Sequence, residues 1–340
     1  MNLFQYKNCL LCPRSCGVDR QAGECGYCGE TAVLRIAFAG IHKGEEPPVT
    51  GAGGSGTVFV SGCNLGCAFC QNFQISQGKH ISHGLGRAVD AGEFAEICLV
   101  LQKKGAQNIN IVTGSHAAPA LGRGLEAARK QGLSIPVLWN SSGYDGLEAL
   151  EILKGLVDVY LPDLKTLDSG LAGRFYNAPD YPEHAVKAIL KMMEYRELRF
   201  VTGVNQSYAS SYSPSYRNTL VSGVMIRHLV IPGFLESTRQ ALRWFAENCR
   251  GKALLSLMTQ YTPVRTESET AIPDRFVSND EYEEVLSMLD EFNIDDGFCQ
   301  ELVPFSDWLP DFEKPNPFSS ELSVPVWHWQ QGFIGRGVGC

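Results

Sequence analysis

Along the chain, short runs of branched and apolar residues alternate with longer stretches in which apolar positions recur every three or four residues. The short runs read as buried strands and the longer ones as amphipathic helices. An apolar run from Val33 to Ile41 is strand-like and leads to Pro47-Pro48 and the glycine-rich stretch Gly51–Gly56. Beyond it, strands are expected at Thr57–Ser61, Asn108–Thr113, Ile135–Asn140, Val157–Leu161, Val221–Ile231 and Ala253–Thr259, with a last one at Phe298–Val303. Helices are expected in the gaps. Asp90 followed by Glu93 is a capping signature for one through Lys104, Asp145 with Glu148 for one to Lys154, and Ser278 with Glu281 for one over Asp280–Phe292. Ala120–Gln131, Pro182–Tyr195 and Leu235–Cys249 are periodic without so clear a start.

Strands alternating with helices imply parallel pairing through right-handed crossovers. Six such units are too few for a closed eight-fold barrel but enough for an open, curved part of one. The expected fold is therefore α/β, a partial (β/α)6 TIM-like barrel with a Cys-rich N-terminal metal-binding extension. The boundaries expected are 1–50 for the extension, 51–310 for the barrel and 311–340 for an irregular C-terminal tail containing Trp327 and Trp329. A Ser/Tyr-rich stretch, 204–220, reads as an inserted loop. Gly51–Gly56 precedes its strand and no Gly-Lys-Ser/Thr follows, so it reads as a hinge rather than a phosphate loop.

With 44% hydrophobic and 19% charged residues among 340, the chain has a globular composition. Twenty-nine Lys and Arg against 37 Asp and Glu give a net charge of −8, which argues against broad capture of nucleic acid or an acidic membrane. No apolar run reaches the roughly 20 residues of a bilayer span, and Met1–Leu10 lacks the pattern of an export signal. A cytoplasmic protein is expected.

The cysteines change the picture. There are twelve, and eight fall in the first 70 residues. In a reducing compartment, clustered thiols bind metal or do redox chemistry rather than form disulfides. Cys63-x3-Cys67-x2-Cys70 follows a strand directly, and no fourth Cys or His follows within the loop, the next being His80. Three thiolates suit an iron–sulfur cluster with one iron left open, which can bind substrate, whereas a structural zinc needs a fourth ligand. A zinc knuckle sharing a ligand with the head is the alternative. The head offers five thiols, Cys9, Cys12, Cys16, Cys25 and Cys28, enough for a tetrahedral zinc or a fully ligated second cluster.

The three-thiol loop, with aromatic Phe69 before its last Cys, resembles that of the radical S-adenosylmethionine superfamily. Gly62-Cys63-Asn64-Leu65 and Cys70-Gln71-Asn72-Phe73 resemble the group related to pyruvate formate-lyase activating enzyme. Cys9-x2-Cys12-Pro13-Arg14-Ser15-Cys16-Gly17, Glu45-Glu46-Pro47-Pro48, Pro162-Asp163-Leu164-Lys165, Arg227-His228-Leu229, Gln260-Tyr261-Thr262-Pro263 and Asp307-Trp308-Leu309-Pro310 resemble an uncharacterised branch of it.

The resemblance implies a [4Fe-4S] cluster on Cys63, Cys67 and Cys70 whose open iron takes S-adenosylmethionine. Reductive cleavage there gives a 5′-deoxyadenosyl radical that abstracts hydrogen from a protein or small-molecule substrate. It also implies Asp163 and Lys165 as partners of the cofactor's methionyl part, with Asn72, Thr113 and His116 as further cofactor contacts. Cys9, Cys12, Cys16 and Cys28 become the second metal set, with Cys25 left over, and a donor such as flavodoxin or ferredoxin the source of electrons.

Ser141 and Ser142 end the third strand, where they meet a ribose hydroxyl or cap the next helix. Arg227 and His228 are neighbours on one strand, so only one of them faces the barrel interior. Gln260 and Tyr261 end the sixth strand and are candidates for lining the substrate cavity. Against the radical-enzyme reading stand a non-catalytic iron–sulfur electron carrier or scaffold, and a radical modifier of a peptide or cofactor precursor.

Overall fold

The computed structural model describes residues 3–76, 84–202, 218–264, 270–302 and 309–335. His80, Asp307, Trp308, Cys340 and most of the Ser/Tyr-rich insertion lie outside these. Twelve strands form one sheet among the described residues: β1 (Arg35–His42), β2 (Ser55–Val60), β3 (Arg87–Ala88), β4 (Ile109–Val112), β5 (Val137–Ser141), β6 (Val159–Pro162), β7 (Arg199–Thr202), β8 (Asn218–Leu229), β9 (Leu254–Met258), β10 (Gly297–Cys299), β11 (Ser323–His328) and β12 (Gly332–Phe333).

The order is β10-β9-β8-β6-β5-β4-β2-β1-β11-β12, with β3 beside β1 and β7 beside β8. From β2 to β10 every neighbour along this path is parallel, and β1, β11 and β12 extend the edge antiparallel. The result is an open, partial TIM-like barrel, as the sequence pattern predicts. Among the described residues the terminal strands β10 and β12 do not pair, and the barrel is open.

Alternation along each strand sorts its side chains. Ile109, Ile111, Val137, Trp139, Tyr160, Val224, Ile226, Leu255 and Leu257 face the helices and join the large outer core. Leu138, Val159, Leu161, Leu220, Met225 and Leu254 pack together as a separate inner cluster. Val49 belongs to that inner cluster, carried by a one-turn helix at Pro47–Thr50 that plugs the barrel floor.

The expected helices appear at Ala91–Lys103, Ala118–Lys130, Leu147–Leu153, Tyr181–Tyr195, Leu235–Asn248 and Asn279–Glu291. Asp90 accepts from the Glu93 amide, and Ser278 with Glu281 forms a complete capping box. A further helix, Ser169–Tyr176, starts from Asp168, whose carboxylate accepts from the Leu171 amide at 2.8 Å.

Four expectations need correction. Asp145 does not cap its helix: it is buried and accepts from Ser141 Oγ at 2.5 Å and from Trp139 Nε1 at 3.2 Å. Gly51–Gly56 is a packed turn running straight into β2 rather than a hinge; a Cβ on Gly53 would stand 2.0 Å from the Gly105 carbonyl oxygen. The tail is irregular only in part, because it supplies β11 and β12. The sheet also reaches back across residue 50, since β1 pairs with β2 over Ile36–His42.

Candidate metal and cofactor site

The carboxyl ends of β2, β4, β5, β6, β8 and β9 open into one cavity of about 300 Å³. Cys63, Cys67, Cys70, Asn72, Thr113, Ser141, Asp163 and Lys165 all line it. Eight of the nine predicted cofactor residues are thereby brought together. A larger hollow of about 470 Å³ lies elsewhere, between Leu3, Val33, Ala88 and Arg123, and carries none of this chemistry.

Gly62, at φ +82, turns the chain out of β2 into the three-thiol loop. Leu65 N–H donates to Cys63 Sγ at 3.4 Å, and Cys70 Sγ lies 3.2 Å from Ser76 Oγ. Burial raises the pKa of each thiol, that of Cys67 to about 12, and Cys67 and Cys70 add to the rise at Cys63. The Lys165 ammonium works against this at all three. Burial alone would lower the Lys165 pKa, but Asp163 and Cys67 hold it well above the ordinary value. The site is therefore a desolvated thiol set facing one fixed cation, a setting in which thiolates are favoured once metal is bound.

Lys165 Nζ donates to Asp163 Oδ2 at 2.6 Å, and its backbone N–H is held by Tyr181 Oη at 2.9 Å. Tyr181 Oη in turn donates toward the carbonyls of Ser142 and Asp163. An ammonium beside a carboxylate at a cavity wall complements a zwitterionic amino acid end group. Thr113 sits at φ +62 at the end of β4, a conformation rare for a β-branched residue, fixed by its N–H donating to the Asn140 carbonyl at 2.9 Å.

Ser141 lines the cavity, yet its hydroxyl already donates to Asp145. His116 is the predicted residue that falls outside. It is 3% exposed, its Nε2 lies 2.8 Å from the Ser61 carbonyl, and burial pushes its pKa down to about 3. Its backbone turns away from the cavity to accept from Arg20 of the head at 2.6 Å.

The alternation on β8 resolves as one inward and one outward residue. Arg227 faces the cavity, while His228 is buried against Leu164 O at 2.6 Å and Thr238 Oγ1 at 3.0 Å. Gln260 lines the cavity, whereas Tyr261 is fully buried and donates to the Pro273 carbonyl.

Sequence reading left His42, Glu45 and Asn140, which line the cavity too, without a role. For Glu45 a signal was present, two consecutive acids before Pro47-Pro48.

In the head, burial raises the Cys12 pKa to about 12, with Cys28, Cys9 and Cys16 adding to the rise, so these four thiols share one neighbourhood. Cys25 is exposed. Tyr27 N–H donates to Cys16 Sγ at 3.2 Å, and the buried Arg20 guanidinium reaches Cys9 Sγ at 3.7 Å. Among the described residues no three His, Cys, Asp or Glu side chains converge as they would on a single ion. Thiols that each take a different corner of a cluster need not do so.

The head docks on the back of the three-thiol loop. Arg14 Nε donates to the Asn64 carbonyl at 2.9 Å, with its guanidinium 3.7 Å from the Tyr27 ring and 5.3 Å from that of Tyr144. A Cβ on Gly62 would come within 2.9 Å of the Cys28 carbonyl oxygen. Tyr27 Oη accepts from Asn177 Nδ2 and would meet a Cβ on Gly66 at 2.7 Å.

Residues 57–205, which run from β2 past β7 and contain the three-thiol loop, Thr113, Ser141, Asp163 and Lys165, match the Radical SAM superfamily. Over this stretch the chain is similar to radical SAM proteins. An uncharacterized protein of Methanocaldococcus jannaschii is 28% identical over 296 residues, covering 85% of this chain and 76% of that protein. Among solved structures, SuiB of Streptococcus suis bound to S-adenosylmethionine aligns over 70% of this chain and 48% of its own, at 14% identity and a TM-score of 0.47. The chain thus spans about half the length of SuiB. A domain of pyruvate-formate lyase-activating enzyme from Bacteroides vulgatus aligns over 54% of this chain and 90% of its own, at 14% identity and a TM-score of 0.35. No helix among the described residues is long and apolar enough to cross a membrane.

Proposed function

We propose that this protein is a radical S-adenosylmethionine enzyme of the activating-enzyme-like type, with Cys63, Cys67 and Cys70 as the three protein ligands of a [4Fe-4S] cluster. The observation that carries this reading is the convergence, on one cavity, of three half-buried thiols with an Asp163–Lys165 pair beside them. When bound, the cluster and S-adenosylmethionine supply a 5′-deoxyadenosyl radical able to abstract hydrogen from a substrate.

The chain's own residues bind, orient and exclude water. Asp163 and Lys165 pair with each other and are placed to exchange that contact for the ammonium and carboxylate of the methionyl group. Lys165 also neutralises thiolate charge, as its influence on all three thiols indicates. Phe69, 7% exposed and packed edge-on to Phe175, Tyr176 and Tyr261, walls the loop off from solvent. The Ser141 hydroxyl, oriented by Asp145, keeps an acceptor lone pair for a cofactor hydroxyl.

In the head, Cys9, Cys12, Cys16 and Cys28 with Arg20 among them would hold a second metal, as zinc or a cluster. A small reduced carrier such as flavodoxin or ferredoxin would deliver the electron.

The test is anaerobic reconstitution, reduction, and assay of 5′-deoxyadenosine with S-adenosylmethionine alone. Slow release is expected from the wild type and none above background from Cys67→Ala. A Cys67→Ala protein with undiminished yield would overturn the assignment. Metal analysis of the same preparations, with and without the four head thiols, identifies the second site.

A further inference from the structure

Besides the thiols, the cavity wall carries a cluster of charged side chains. Arg227 Nε donates to Glu46 Oε1 at 2.9 Å, and its Nη2 reaches Glu45 Oε2 at 2.6 Å and Glu46 Oε2 at 2.5 Å. Ser256 Oγ donates to Glu46 Oε1 at 2.6 Å, and Asn110 Nδ2 to Glu45 Oε1 at 3.1 Å. Two carboxylates on one guanidinium leave one negative charge in a low-dielectric lumen, where it is poorly screened.

The cluster is not fully satisfied. Asn110 is 0% exposed, its Nδ2 is committed to Glu45, and its Oδ1 has no hydrogen-bond partner. His42 Nδ1 is likewise buried without one. Glu45, Arg227 and His42 line the cavity, with Met258, Thr262 and Gln260 beside them, whereas the cofactor-type residues stand on β2, β4, β5 and β6. An excess negative charge with an orphaned acceptor beside it calls for a cationic hydrogen-bond donor.

We infer that the Glu45–Arg227 pair on the cavity wall, backed by Glu46 and Asn110, is the substrate subsite and that it takes a protonated amine, so the enzyme's substrate is an amino-bearing molecule or a peptide amine. This rests on the radical-enzyme reading for what happens beside this subsite, but the recognition itself is a property of the chain. The ammonium would share the Glu45 carboxylate with Arg227, and the substrate carbon to be attacked would lie between this subsite and the thiol loop.

The experiment is equilibrium binding to reconstituted, oxidised protein saturated with S-adenosylmethionine, using n-propylammonium, 1-propanol and propionate as shape-matched probes. The wild type should bind the ammonium and neither of the other two. Glu45→Gln should weaken the ammonium about tenfold or more, for the loss of the one uncompensated charge, and Glu45→Asp should restore part of it. Because the discrimination among probes is read in the wild type, it stands even if Glu45→Gln does not fold. Equal binding of all three probes, or ammonium that displaces S-adenosylmethionine instead of binding beside it, overturns the inference. The 5′-deoxyadenosine assay without probe tests the radical reading separately.

Discussion

Arg227 and His228 are one residue apart and meet opposite environments. The guanidinium enters a carboxylate cluster that holds it protonated against the cost of burial; the imidazole enters an apolar layer that lowers its pKa to about 4. In the unfolded chain His228 would titrate near 6.5. Its folded pKa is the lower one, so the unfolded state takes up protons first. Stability is then intact above about 6.5 and declines as pH falls toward 4. Replacing His228 with Gln, which keeps donor and acceptor, should leave a smaller drop in the urea midpoint between pH 7 and pH 5. Identical drops in both proteins would place the acid sensitivity elsewhere. At this scale the three thiols stood out because their spacing after a strand end is itself a chemical signal, whereas Asp163 and Lys165 were marked by the family resemblance and by their place at a strand end. His116 was not: whether a residue after Thr113 turns toward the cavity or toward the head depends on Arg20, 96 positions away. Asp145 misled for a related reason, since a capping signature says nothing of a Trp139 indole and a Ser141 hydroxyl competing for the same carboxylate.

At the scale of elements, helix starts read cleanly where the cap is exposed, as at Asp90 and Ser278. The loop between β2 and the first long helix depends instead on a partner from another part of the chain. Arg14, set between Cys12 and Cys16, reaches out of the head to the Asn64 carbonyl, and Asn64 Nδ2 donates onward to the Tyr144 carbonyl at 2.5 Å. From sequence alone, Arg14 suits nothing more than a tight turn. Removing this charged hydrogen bond and its stacking on Tyr27 should cost the loop about 1.5–3 kcal/mol. That corresponds to roughly tenfold or more in its local opening. An Arg14→Ala protein, reconstituted with iron, should lose its cluster absorbance to a chelator faster by about that factor, and Arg14→Lys should restore little, since an ammonium lacks the planar fork. Equal rates of loss in wild type and variant would show that the head does not brace the loop.

For the whole molecule, the parallel barrel was readable from alternating periodicity, and the edge that completes it was not. Three prolines in the tail, at 315, 317 and 325, signal irregular chain. Pro325 nevertheless lies within β11, opposite Gly40, where the β1–β11 register shifts, a place where a missing amide does little harm. Through β11 the tail lays Trp327, 0% exposed, against the core, its indole donating to Glu93 Oε1 at 3.0 Å while Arg87 stacks 4.8 Å from its ring. The segment thus joins β1, the helix after Asp90 and the strand end at Arg87. Because β1 ends in His42 and leads to Glu45, the tail also steadies the charged cavity wall. Trp327→Ala should therefore cost about 3–5 kcal/mol, the usual range for emptying so large a core position, seen as a lower denaturant midpoint with an unchanged slope. It should also weaken n-propylammonium binding while leaving the three-thiol loop able to take up iron. If the midpoint holds and the probe still binds as in the wild type, β11 is an ornament on the sheet and the charged wall is supported from within the barrel alone.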